Sequence, residues 1–280
     1  MDPATVALLG TIAGATIFLG LPFGRIGSLS AGWRAMLNAI AIGVLLFILW
    51  DVAAQAMEPL EAALQAATGG AGWTDFVELS IIAAGGLAAG LLGLVAYQGW
   101  ISDRGLARRP GPGTASATEL SGRGSVATTD AGRLALLIAV GIGLHNFAEG
   151  LAIGQSAAAG ELSLAVLLIV GFGLHNATEG FGIVAPLAAG SARPSWGFLA
   201  LLGVIGGGPT LLGTLLGQLV VDDRLSVLFL ALAAGSILFV VTQLLRVADR
   251  AGRPMLIAVG LLVGIGLGVA TDLVLVAAGA

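Results

Sequence analysis

Apolar residues run along this chain in stretches of about 20, a length that carries an α-helix across a bilayer. The stretches lie at roughly 4–24, 35–57, 76–100, 133–158, 162–189, 197–220, 226–246 and 254–278. The pattern predicts an all-α fold, a polytopic membrane helical bundle of eight transmembrane helices. Trp33, Trp73, Trp100 and Trp196 fall at the edges of these stretches, where the amphipathic indole prefers to sit. The opening "MDPATVALLG" has no basic n-region, so the first stretch is expected to be a retained helix and not a signal peptide.

One connection is long. The stretch "ISDRGLARRPGPGTASATELSGRGSVATTD" is rich in Pro, Gly, Ser and Thr and has little apolar surface to bury. It divides the chain into transmembrane helices 1–3 (residues 1–100), a flexible cytoplasmic loop (101–132) and transmembrane helices 4–8 (133–280), together one membrane domain. Arginine sets the orientation. With both the N- and the C-terminus outside, eleven arginines fall in inner segments and only Arg224 falls outside, the bias that the positive-inside rule demands. An odd number of spans would break that alternation. The expected location is the cell membrane, inner or plasma, crossed many times.

Composition narrows the chemistry. The chain is 57% hydrophobic and 10% charged, with mean hydropathy +1.01, against about 25% charged residues in soluble domains. There are 45 glycines, and small residues let membrane helices approach closely. Cysteine is absent, which excludes disulfides, thiolate metal sites and thiol catalysis. A net charge of −4 makes nucleic acid an unsuitable partner.

Against this oily background one polar motif is written twice. "GIGLHNFAEG" covers residues 141–150 and "GFGLHNATEG" covers residues 171–180, and together they hold both histidines of the chain. Both motifs lie near the middle of their stretches, on consecutive antiparallel helices, so a pseudo-two-fold axis in the membrane plane relates them. Transporters that hold substrate at mid-depth use such an axis. His145 and Glu149 are four residues apart and share a helix face, as do His175 and Glu179. Two such faces turned together present two imidazoles and two carboxylates, which is ligand chemistry for a divalent transition metal. Two carboxylates, two neutral histidines and one M²⁺ sum to zero charge, which lowers the cost of burial. The plainer alternative is a His–Glu hydrogen bond that only joins helices; two copies at matched depth weigh against it. Asn146 and Asn176 are open to either role, amide-oxygen ligand or interhelical hydrogen-bonder.

At these residues the chain resembles the ZIP (Zrt/Irt-like) family of divalent metal transporters, which carries "HNxPEG"-like motifs on the fourth and fifth of eight helices. The resemblance extends to outside termini and a long cytoplasmic loop after the third helix. It implies zinc, with iron or manganese as alternatives, entering the cytoplasm through a site built from His145, Asn146, Glu149, His175, Asn176 and Glu179. It implies no enzyme activity and no cofactor beyond the transported divalent metal itself, Zn²⁺ first. The partners it implies are that metal and the lipid bilayer, with a homodimer left open.

The sequence departs from the family where proline usually precedes the glutamate: Ala148 and Thr178 stand there. Gly208 precedes Pro209 where relatives carry an acid, and Gln243 stands at another such position. These losses predict one metal per site, and Gly208→Glu is expected to allow a second. Among the other polar residues, Asp51 with Gln55 is a candidate for the outer mouth or a solvated interface acid. Glu78 and Asp272 are expected to be solvated, Gln218 and Gln243 to line a path or pair with neighbours, and Thr210 and Thr214 to bond back to their own helix.

Two other functions compete. An intramembrane metal-dependent hydrolase needs two histidines one turn apart with a glutamate beside them, as in H-E-x-x-H; neither motif has this. A proton or organic-cation transporter could use the same four side chains as a relay, and bound transition metal distinguishes it.

Overall fold

A computed structural model of the chain describes residues 3–26, 30–107, 126, 129–158, 162–188, 193–219 and 222–277. Among these residues there are eight α-helices and no strand. They are α1 (Pro3–Ala15), α2 (Ala31–Ala66), α3 (Thr74–Ala107), α4 (Asp130–Ala158), α5 (Leu162–Ala188), α6 (Trp196–Gly217), α7 (Asp223–Asp249) and α8 (Pro254–Ala277). Seven stretches of the described residues are long and apolar enough to cross a membrane. α5, at 27 residues, has the length to be the eighth. The fold is the polytopic helical bundle that the apolar pattern predicts.

Helix starts follow their capping residues. Ser30, Ser195 and Asp222 sit in extended conformation, and each accepts a hydrogen bond from the backbone N–H three residues on, which satisfies one of the orphan donors of α2, α6 and α7. Three boundaries depart from the sequence reading, one of them at the long connection, where 101–107 and 130–132 are helix and not loop. The first apolar stretch is not one helix: after α1 the chain tightens into 3₁₀ turns at Thr16–Leu19 and Leu21–Arg25. Pro22 cannot donate to a continuing helix, and Gly20 lies against the backbone of α5 at Ala177 and Phe181. α2, in turn, runs on to Ala66 and through a π-helical turn at Ala67–Ala71. Gly70 (φ 102°) and Gly72 (φ 95°) then reverse the chain into α3, a left-handed geometry that side chains resist. α3 continues to Ala107 and α4 starts at Asp130; residues 108–125 and 127–128 of the long connection lie outside the described residues.

The packing order reports how the helices cross. α4 lies along α6 with Gly143 against Ile205, Gly150 against Thr210 and Gly154 against Thr214, so the two are parallel. α3 with α7 (Gly86 at Leu228, Gly90 at Leu232) and α2 with α8 (Gly43 at Leu261, Phe47 at Gly268) are parallel too. α1 with α6 is antiparallel, Gly10 meeting Thr214 and Gly14 meeting Gly207. Parallel partners are an even number of helices apart and antiparallel partners an odd number, as alternate crossing requires. Glycine makes these contacts by bringing backbone against backbone, the small-residue packing of membrane helices.

The two ends of the bundle differ in charge. At one end Arg25 donates to the Pro194 carbonyl and its guanidinium lies 4.7 Å over the Trp196 ring, while Arg253 stands against Gly32. At the other end Arg224 pairs with Glu78 through two hydrogen bonds of 2.8 and 3.1 Å. One hydrophobic core, centred on α2, α4, α5 and α7, fills the space between.

Candidate metal centre

The repeated motifs meet in the middle of this core. On α4, His145 Nε2 is 3.0 Å from Glu149 Oε1, one turn on. From α5, His175 Nε2 comes to 2.6 Å from the same Glu149 oxygen, and Glu179 Oε1 lies 3.7 Å from His145 Nε2. Glu149 thus bridges both imidazoles, whose ring centroids are 6.2 Å apart. One ligand atom from each of His145, Glu149 and His175 falls within 4.8 Å of the others. Ligands of a tetrahedral zinc at about 2.0–2.1 Å are separated by roughly 3.3 Å, so shifts of about an ångström would seat an ion here.

Burial gives the group its need for positive charge. His145 and Glu179 are fully buried, Glu149 nearly so, and the His175 side chain is 14% exposed. Neither Glu179 oxygen has a hydrogen-bond partner among the described residues. A buried carboxylate without compensation is costly, and a cation between the two glutamates removes that cost.

The asparagines have a divided role. The Asn146 amide donates to the Gly206 carbonyl on α6 (2.9 Å) and the Asn176 amide donates to the Ala13 carbonyl on α1 (3.0 Å). Both amide oxygens are buried and have no partner among the described residues. Hydrogen bonding between helices therefore uses the nitrogen and leaves the oxygen for another ligand. The acceptors are found where the flanking helices are irregular. Pro209 leaves the carbonyl of Ile205, the residue before Gly206, without its N–H donor, and Ala13 precedes the passage of α1 into its 3₁₀ turn.

The motif glycines complete a shared pattern. Gly150 packs against the Thr210 carbonyl, four residues beyond the acceptor of Asn146, and Gly180 packs against the Ile17 carbonyl, four residues beyond the acceptor of Asn176. α4 on α6 thus repeats α5 on α1, and the pseudo-two-fold expected for the motifs includes the helices that support them. Sequence reasoning did not identify α1 and α6 as those supports. The signal was present as small residues at helical spacing, Gly10 and Gly14 one turn apart in α1 and Gly206 and Gly213 two turns apart in α6.

The other polar residues divide between the roles expected of them. Thr214 bonds back to the Thr210 carbonyl at 2.8 Å, but the buried Thr210 hydroxyl has no partner among the described residues. Gln243 takes the second of its two expected roles and pairs with a neighbour, exchanging two amide hydrogen bonds with Gln98 of α3, at 3.3 and 3.4 Å. Glu78 is tied to Arg224. A Cβ at Gly208 would meet only Val204 of its own helix within 4 Å, and Val204 and Leu212, one turn to either side, are exposed. Asp51 accepts from Gln55 at 2.8 Å and lies within electrostatic reach of Glu149, His175 and Asp272.

Comparison with curated proteins finds no match. The model of the ZIP zinc transporter family matches residues 108–272, more than half of the chain, from the long connection through α8 and including both motifs. With that match and a buried His/Glu group on two consecutive helices of an apolar bundle, the chain belongs to the ZIP zinc transporter family and so to the membrane proteins that transport divalent metal.

Proposed function

We propose that the chain carries a divalent transition metal, zinc first, across the cell membrane into the cytoplasm through a centre formed by His145, Glu149, His175 and Glu179, with Asn146 and Asn176 offering amide oxygens. The observation that supports this reading above the others is the position of Glu149 Oε1, within 3.0 Å of His145 and 2.6 Å of His175. Both imidazoles converge on one carboxylate, as ligands of one ion do, while a hydrolase would keep an open water position beside paired histidines of a single helix. The ligand set of nitrogen and oxygen without sulfur suits Zn²⁺, Fe²⁺ and Mn²⁺ and disfavours Cu(I), Mg²⁺ and Ca²⁺. Neutral charge in the loaded state is the physical basis for one metal per chain.

Uptake by proteoliposomes containing the purified protein, measured with a panel of radiolabelled divalent metals, tests the reading. Zinc accumulation above empty vesicles is expected. Protein that moves protons or organic cations but no metal would replace this reading with the relay.

Two further outcomes are expected. Histidine binds metal only when neutral, and its ordinary pKa is about 6.5. Lowering the pH therefore adds protons that compete with the metal, and zinc affinity measured by titration calorimetry should weaken as pH falls below about 6. An affinity constant from pH 7.5 to pH 5 would argue against histidine ligation. Orientation is tested at Ser116, in the long connection. In this cysteine-free chain, Ser116→Cys should react with an impermeant maleimide only after cells are opened. Labelling of intact cells would invert the topology.

A further inference from the structure

The arginine-rich end of the bundle holds a second polar feature, apart from the metal centre. A cavity of about 180 Å³ opens between α2, α5 and α7, lined by Arg34, Asn38 and Arg250 over a floor that includes Ala35, Ala185 and Ala248. That is roughly ten times the space one water needs. We propose that it binds a phospholipid headgroup, with Arg34 and Arg250 on the phosphate and Asn38 accepting a hydrogen bond from a headgroup hydroxyl or amine.

Among the described residues no carboxylate pairs with the arginines at this cavity. Arg34 is half-buried near the start of α2, and Arg250 caps the C-terminus of α7. Neither forms an ion pair among the described residues, where the arginine that does so is Arg224, at the opposite end. Arg253, against Gly32, adds a third positive charge close by. Arginine suits phosphate because its planar fork presents several donors at once.

Asn38 specifies more than charge. It is buried, its amide donates to the Leu244 carbonyl at 3.2 Å, and its Oδ1 has no partner among the described residues. An acceptor beside two cationic donors calls for a ligand that is an anion and also carries a donor. A phosphodiester with a glycerol or ethanolamine head meets both demands, and so does protonated inorganic phosphate. The membrane source is favoured by position. Trp33, next to Arg34, and Trp196, under Arg25, are each 62% exposed, and exposed tryptophans mark the depth of the headgroups. Basic pockets between transmembrane helices are suited to headgroups at that depth.

The test uses the full chain, purified in neutral detergent and stripped of lipid, with thermal melting followed against added ligand. Phosphatidylglycerol should raise the Tm saturably, and diacylglycerol, which lacks the phosphate, should not. Arg250→Gln, at an exposed helix end, should fold and weaken the apparent affinity roughly fivefold. Arg224→Gln should leave it unchanged. Phosphatidylmethanol has the same charge but no headgroup hydroxyl and should bind more weakly; equal affinity would overturn the Asn38 contact. Inorganic phosphate matching phosphatidylglycerol at equal concentration would keep the phosphate chemistry but overturn the lipid as its source. Equal stabilisation by diacylglycerol, or an unchanged response in Arg250→Gln, would overturn the proposal. Native mass spectrometry of the unstripped protein gives an independent reading, with one phospholipid retained per wild-type chain and loss of that adduct in Arg250→Gln.

Discussion

Replacing Glu149 with glutamine is expected to reduce metal uptake to the level of empty vesicles. Glutamine keeps the shape of the side chain and removes only the charge, so the consequence is electrostatic. Glu149 Oε1 lies 3.0 Å from His145 and 2.6 Å from His175, and no other carboxylate among the described residues forms an ion pair with both rings. After the substitution, M²⁺ between two neutral imidazoles faces Glu179 alone and keeps one unbalanced positive charge in a buried setting. Leaving a buried charge without its partner costs about 3–5 kcal/mol, equivalent to roughly 10²–10⁴ in affinity. Elemental analysis of the purified variant should find the metal lost, from about one per chain in the parent on the charge balance above. Thermal melting without metal should change little, because the glutamine amide can still hydrogen-bond an imidazole. Glu179→Gln should act in the same direction, since Glu179 lies 3.7 Å from His145. Uptake by Glu149→Gln at the parent rate would remove this centre from the transport path.

The second large effect is structural. Gly150→Val and Gly180→Val should each prevent the bundle from closing, with loss of the monodisperse protein peak on size-exclusion chromatography. A side chain at position 150 would enter the Thr210 carbonyl, and one at 180 would enter the Ile17 carbonyl. Both obstacles are backbone, so no rotamer change relieves them, and the helices must separate. Overpacking a tight site costs about 1–3 kcal/mol when side chains can adjust; fixed backbone places these two at or above the upper end. Separation would also lengthen the Asn146–Gly206 and Asn176–Ala13 hydrogen bonds on the same faces. A matched control is Gly266→Ala in α8, where nothing lies within 4 Å of the added carbon. That change should be neutral or stabilise by up to about 1 kcal/mol, the helix-propensity difference between glycine and alanine. If Gly150→Val and Gly266→Ala melt alike, close packing at the motif glycines is not what holds α4 to α6.

Much of this protein was legible in one dimension because the bilayer imposes a one-dimensional rule. Every backbone group in the hydrocarbon must be satisfied within its own helix, so apolar length alone locates the helices, and the expected ends agree with α4 to α8 to within a few residues. The candidate ligands were legible for a related reason. Ionisable side chains are so costly at mid-membrane that a doubled His–Asn–Glu pattern stands out without any alignment. What the sequence could not determine is which surfaces face one another. Helical spacing pairs each histidine with the glutamate on its own helix, His145 with Glu149 and His175 with Glu179. The tertiary structure makes Glu149 the common partner of both histidines and turns Glu179 toward His145. That choice depends on how far α4 and α5 are rotated about their axes, and the rotation is set by the helices behind them. Gly150 and Asn146 seat α4 on α6, and Gly180 and Asn176 seat α5 on the broken end of α1. Polar residues look alike in sequence whether they face the centre or a neighbour. Only packing separates Asp51, within electrostatic reach of Glu149 and His175, from Gln243, which pairs with Gln98, because facing is a property of two helices and not of one.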